Sequence, residues 1–153
     1  MFESTVHTAI EIQATASCVW EILADLDSYH TWNPMIREAS GELKPGERLR
    51  LLFHPAGTRA RVFRPVLVTV EPGRELCWEG RPRVPMIIES EHVFILKKNG
   101  GNGTLLVHDM VFRGLLAPLA VKKAGGMIRE QFGGMNRALK NRAESRDVLH
   151  HDA

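Results

Sequence analysis

LLAPLAVKKAGGMIREQFGGMNRALKNRAE, residues Leu115 to Glu144, is the stretch on which the fold turns. Ile128, Phe132, Met135 and Leu139 recur in it at helical spacing and make an apolar stripe that must lie on something. Pro118 suits a first helical turn, where a missing N–H costs nothing. Lys140, Arg142 and Arg146 favour the C-terminal end of a helix electrostatically. The spacing therefore predicts one long amphipathic helix over 115–144. Gly125-Gly126 and Gly133-Gly134 interrupt the stripe. Each glycine costs a helix roughly 1 kcal/mol relative to alanine, about 4 kcal/mol for the four. A helix that keeps them is expected to gain close approach to a sheet, or a bend over a hollow.

Working outward, residues 5–13 alternate, with Val6, Thr8, Ile10 and Ile12 on one face and His7 and Glu11 on the other, as a half-buried strand requires. Thr15 or Ser17 can cap a short helix carrying Val19, Ile22, Leu23 and Leu26. A second short turn carries Tyr29 and Trp32 and ends at Asn33-Pro34, because a residue before proline leaves the helical region. From 36 to 112 the pattern is strands and turns: 48–53, then 61–70, in which Pro65 marks an edge or a bulge, then 75–80. Arg81-Pro82-Arg83-Val84-Pro85 reads as a stiff loop. Residues 90–97 and 104–112 pair as a hairpin through Asn99-Gly100-Gly101-Asn102-Gly103. Strands segregated from helices argue for an α+β domain with an antiparallel sheet, curved to wrap the long helix. One domain over 1–147 and a frayed tail over 148–153 are expected.

The 153 residues suffice for one domain with a real core. With 44% hydrophobic and 25% charged residues the composition is that of a globular protein. A net charge of +2 is too weak to argue for nucleic acid. Arg59, Arg61, Arg64, Arg74, Arg81 and Arg83 cluster in sequence, as a solvated strand face does, or a surface for an acidic partner or ligand carboxylate. Cys18 and Cys77 lie among apolar neighbours without metal spacing and read as reduced and structural. The N-terminus has no signal-peptide pattern, and no run approaches the roughly 20 apolar residues of a membrane span. The default expectation is a soluble cytoplasmic protein without integral membrane association.

Several segments then match a known family in order and spacing: Ile12-Gln13-Ala14 before Val19-Trp20, Tyr29 through Trp32-Asn33-Pro34, Phe63-Arg64-Pro65, Glu71-Pro72-Gly73-Arg74-Glu75-Leu76 with Trp78 and Gly80, Glu91-His92 with Phe94, His108 with Phe112 and Gly114, and Met135-Asn136 with Leu139-Lys140. On these the chain resembles the SRPBCC superfamily, START-like and polyketide cyclase/dehydrase-like, over about 5–144. The resemblance implies the helix-grip fold: a curved antiparallel sheet of about six or seven strands around a long C-terminal helix, with two short helices after the first strand. It also implies a deep apolar cavity between sheet and helix, used in the superfamily for lipids, sterols, polyketides or hydrophobic hormones. Many of its nearer members carry a glutamate two residues before the phenylalanine of the last strand. Here that position is Met110, a soft apolar wall in place of an acid.

His92 and His108 are the candidate catalytic residues. Each shares a strand face with apolar neighbours, His92 with Phe94 and Leu96, and His108 with Leu106, Met110 and Phe112. An imidazole in an apolar pocket can polarise a carbonyl or move a proton near neutral pH. The alternative is a histidine hydrogen-bonded within the sheet. Asp109 falls on the opposite face and cannot orient the His108 ring. The ligand-binding candidates are Tyr29, Trp32, Phe63, Trp78, Phe94, Met110, Phe112, Met127, Gln131, Phe132 and Met135, with Leu119 and Ile128 also on the cavity side of the helix. None of the seven histidines has metal-ligand spacing, and His150-His151 lies in the expected tail, so no metal and no cofactor is expected. No nucleophile elbow and no phosphate-binding glycine loop is present. The first reading is a protein that binds a small hydrophobic or amphipathic molecule: lipid, polyketide or aromatic compound. The second is an aromatase/cyclase or dehydratase-type enzyme using a pocket histidine. The third is a protein-interaction module served by the arginine-rich strand.

Overall fold

The computed structural model describes residues 2–80 and 86–152, the last six as backbone only. Strand β1 (Glu3–Ile12) leads into helix α1 (Ala16–Ala24) and a 3-10 turn (Leu26–Thr31). Seven strands follow: β2 (Ile36–Ser40), β3 (Arg50–Phe53), β4 (Arg61–Phe63), β5 (Val66–Glu71), β6 (Glu75–Gly80), β7 (Glu89–Asn99) and β8 (Gly103–Arg113). Helix α2 (Ala117–Asp152) closes the described chain. Its helical backbone runs beyond Glu144 through most of the segment expected to fray. The expected Arg81–Pro85 loop, with two of the clustered arginines, lies outside the described residues.

Thr15 caps α1, its Oγ1 accepting from the Cys18 N–H at 3.1 Å. Asn33 ends the following turn by accepting from the Met35 and Ile36 N–H groups, each at 2.9 Å. Two antiparallel ladders form, β1-β8-β7-β6-β5 and β2-β3-β4. The described strands number eight against the six or seven expected, because residues 36–40 form a strand of their own and residues 61–70 divide at Arg64-Pro65. Proline has no N–H for the ladder, but the Pro65 carbonyl still accepts from Leu49 N–H at 3.0 Å. That bond, the Leu67 N–H to Glu47 carbonyl bond and the Arg48–Val66 bridge join the two ladders into one curved wall.

At backbone distance α2 lies chiefly on β1, and then on α1 and β8. Gly114 makes the turn into it. Its φ is +120°, and a Cβ there would meet the Ile87 carbonyl oxygen at 2.6 Å, so only glycine fits. The glycines inside α2 are another matter. Gly125 would place a Cβ at ordinary distance from Val121 and Val6, and Gly126 would meet nothing. The expectation that they allow close sheet contact is therefore wrong for this pair. The main core gathers Val19, Ile22, Leu23, Tyr29, Leu76, Phe94 and Leu106 beneath Phe132, Met135, Leu139 and Ala143 of the helix. A small second cluster, Val6, Phe112 and Ala117, sits under its N-terminal end. Between α2 and the curved wall the packing opens.

Candidate functional site

The opening is a cavity of about 380 Å³, within the roughly 300–1,000 Å³ typical of small-molecule sites. Its wall takes Ile36, Leu51, Phe53, Arg61, Phe63 and Pro65 from the smaller ladder and its junction, Trp78 and Gly80 from β6, Ser90 and His92 from β7, and Met110 and Phe112 from β8. Helix α2 supplies Ala124, Met127, Ile128, Gln131 and Phe132. Alternation explains the sheet side, since residues two apart on a strand share a face. Helical spacing explains the other.

Of the sequence-derived candidates, Phe63, Trp78, His92, Met110, Phe112, Met127, Gln131, Phe132 and Ile128 border this space. Tyr29, Trp32, Phe94, Met135, Leu119 and His108 are not among its lining residues. Tyr29 is fully buried in the core, and its hydroxyl donates to the Leu23 carbonyl at 2.5 Å. Burial pushes its pKa up, assisted by Asp25, so it stays neutral. Trp32 packs edge-on against Tyr29 at 5.2 Å between ring centres. Phe94 and Met135 are core. Leu119 is exposed on the outer side of α2.

The polar centre is a pair of buried histidines. His92 Nε2 and His108 Nε2 lie 2.5 Å apart, and the rings are tilted by only 22° with centres 4.7 Å apart, so they meet edge to edge. His108 Nδ1 reaches Asn136 Oδ1 at 2.7 Å, and Asn136 Nδ2 donates to Thr8 Oγ1 at 2.9 Å. The Thr8 hydroxyl hydrogen goes to the His108 carbonyl at 2.5 Å. These commitments determine the tautomers. Thr8 Oγ1 has spent its hydrogen and must accept from Asn136 Nδ2. Asn136 Oδ1 then faces His108, so His108 Nδ1 carries the hydrogen and His108 Nε2 is bare. The hydrogen between the rings belongs to His92 Nε2. His92 Nδ1 remains a bare acceptor on the ring that lines the cavity, with no hydrogen-bond partner among the described residues.

The pair is dry. Phe94 lies 4.2 Å from the His108 ring centre at 24°, and Phe132 lies 3.9 Å from it at 7°. Two rings so close and so nearly parallel must take opposite faces of one imidazole. Trp78, the register partner of His92, covers that ring at 4.6 Å. Burial lowers His108 to about 3, against a smaller upward pull from its bond to Asn136. Burial lowers His92 well below the usual value too, helped by His108. Both are therefore neutral at neutral pH. Asp109 does lie on the outer face, with Oδ1 2.8 Å from His7 Nδ1.

Sequence reasoning had no role for Asn136 or Thr8. The signal was present: each is a polar residue at an inward position of an otherwise apolar stripe. Among the described residues Arg61 is the one clustered arginine on the cavity wall, its guanidinium 5.8 Å from the Phe53 ring centre and 5.5 Å from that of Phe63. Burial, with Glu91 adding to it, pushes Cys77 up to about 12, so it offers no thiolate at neutral pH. Among the described residues no group of three His, Cys, Asp or Glu side chains is placed to hold a metal ion, and no helix is long and apolar enough to cross a membrane.

The family described as "Polyketide cyclase / dehydrase and lipid transport" matches residues 3–144, and the chain belongs to it. It has the α+β helix-grip architecture, a curved antiparallel sheet around a long C-terminal helix, and shares that fold with START-like structures. The Zhui aromatase/cyclase from Streptomyces sp. R1128 superposes with a TM-score of 0.75 at 19% identity, covering 95% of this chain and 96% of that one. A START superfamily protein from Mycobacterium smegmatis gives 0.68 at 24% identity, covering 92% and 97%. The di-domain aromatase/cyclase StfQ of the steffimycin biosynthetic pathway gives 0.70 at 14% identity, covering 93% of this chain and 51% of that one. At these identities the likeness is one of fold. No curated protein sequence matches the chain.

Proposed function

We propose that this protein binds a small, largely apolar molecule bearing a hydroxyl, phenol or similar donor, held in the cavity with its donor on His92 Nδ1. The carrying observation is one bare imidazole acceptor in an otherwise mostly apolar wall, in its acceptor state by tautomer and neutral by burial. A buried acceptor selects strongly for ligands that satisfy it, because a ligand lacking the donor leaves it unpaired. Met110, in place of an acid, leaves no carboxylate on that stretch of β8 facing the ligand. Methionines at 110 and 127 adapt to varied apolar shapes.

A second reading is a cyclase or dehydratase-type reaction, and the relay His92–His108–Asn136–Thr8 favours it. A proton taken at His92 Nδ1 would leave Nε2–H donating to His108 Nε2, with Asn136 holding the second ring. Against it, a lowered conjugate-acid pKa makes His92 a weak base and no acid at neutral pH.

Native mass spectrometry of the freshly purified protein, followed by ligand extraction and rebinding to His92→Phe, tests both. A retained hydroxylated apolar compound bound about tenfold more weakly by the variant supports binding, tenfold being about 1.4 kcal/mol. Turnover of that compound, lost in the variant with affinity kept, supports the second reading. Equal affinity for both proteins with no turnover overturns the role of His92.

A further inference from the structure

A second cavity, of about 360 Å³, adjoins the first. The two share Met127 and Gln131 of α2 as a partition. The second is more polar than the first and opens to solvent: beyond the partition it presents Thr58, Glu130 and Arg137 around Pro34, Pro55 and Gly134. Arg137 folds back along its own helix. Its guanidinium nitrogen lies 3.1 Å from where a Cβ on Gly133 would be, and another lies 4.0 Å from that of Gly134. Gly133 thus leaves the room in which the guanidinium rests, a reason for that glycine that its helical cost alone would not predict, whereas a Cβ at Gly134 would meet it at ordinary contact distance. Arg137 has no ion pair or hydrogen bond among the described residues. Glu130 stands two turns earlier on the helix and does not neutralise it.

We propose that this second cavity is a head-group subsite: it takes the anionic end, carboxylate or sulfate-like, of an amphiphile whose largely apolar body fills the first cavity with its hydroxyl on His92 Nδ1. The proposal rests on the first cavity being a binding site. Guanidinium is the cation suited to such a group, through two parallel N–H bonds. Met127 is 51% exposed and unbranched, so it can yield to a chain passing between the two spaces. Glu130 repels the same anion, which places the head group on the Arg137 side, over the glycines and toward Pro34.

Calorimetric titration with ω-hydroxydodecanoate and dodecanediol, two ligands that share one hydroxylated tail and differ in the head, tests this. Arg137→Gln is expected to weaken ω-hydroxydodecanoate about tenfold and dodecanediol less than about twofold. Glu130→Gln is expected to strengthen ω-hydroxydodecanoate a few fold. Opposite signs from two neighbouring substitutions cannot come from misfolding. Equal losses for both ligands in Arg137→Gln, or an ω-hydroxydodecanoate loss produced by Arg61→Gln instead, overturns the subsite while leaving the first cavity's role intact. Binding of dodecanediol alone to the unaltered protein overturns the subsite only, and failure of both ligands to bind overturns both readings.

Discussion

The two halves of α2 meet the rest of the chain differently. From Phe132 to Ala143 the helix is pressed onto solid core, with Phe132, Met135, Leu139 and Ala143 almost wholly buried. From Ala124 to Gln131 it borders the cavity, resting on the small second cluster through Ile128, and Met127 remains about half exposed. One apolar stripe serves both halves. The difference lies in what faces it. Phe132, Met135, Leu139 and Ala143 join the main core, whereas Ala124 to Gln131 also line a space whose far side is β3, β4 and the inner residues of β6. The lesson is that apolar periodicity reports which side of a helix turns inward, and not whether anything fills the space there. The histidine pair sits at the boundary, backed by Phe132 on one side and opening to the hollow on the other.

The largest break in this contrast comes from truncating one side chain in each half. Leu139→Ala is expected to cost about 2–5 kcal/mol in urea denaturation, since it leaves a cavity in packed core. Met127→Ala is expected to stay within about 0.5 kcal/mol, because its side chain borders space already. Comparable costs would mean that the hollow is filled in solution.

Acid probes the boundary itself. Both rings are held neutral in the fold, so their folded pKa values lie below the usual 6.5, with His108 at about 3. As pH falls, the unfolded chain takes up these protons first. Stability from the pair is therefore whole above about pH 6.5 and erodes below it, by about 1.4 kcal/mol per pH unit for His108 until about pH 3, with His92 acting in the same direction. Chemical denaturation across that range measures the slope. The double variant His92→Phe with His108→Gln should flatten it, and a wild-type curve without that limb would show the rings to be solvated.

The smallest effect sharpens the helix side. A Cβ at Gly126 meets nothing. Gly126→Ala is accordingly expected to raise stability by about 0.4–1 kcal/mol, seen as a higher denaturation midpoint. A loss instead would reveal a need for bending there that the static geometry does not carry.

Much of the fold was legible from local pattern. The alternation of Val6, Thr8, Ile10 and Ile12, the glycine-rich turn at Gly100–Gly103 and the stripe of α2 each point to one element type, and all agree with the segregated order of an α+β chain. Pro65 marked an edge or a bulge, because its missing N–H is a property of the residue itself, and in the fold the strand divides there. The site was legible in part. His92, Trp78, Met110 and Gln131 could be placed on inward faces by counting along single elements. Tyr29, Phe94 and Met135 have the same local signature and went instead into core, since only the distance to the opposing element separates a lining residue from a packed one.

The relay shows the same division most sharply. Residue types and periodicity alone determined that imidazoles at 92 and 108 would face inward, that Asp109 would not, and that a long helix would cover them. The tertiary structure decided that Asn136, twenty-eight residues from His108, and Thr8, at the far end of the chain, meet that ring and assign its hydrogens. Hydrogen-bond direction depends on the whole closed network of partners. No stretch of chain contains that network until β1, β8 and α2 are brought together.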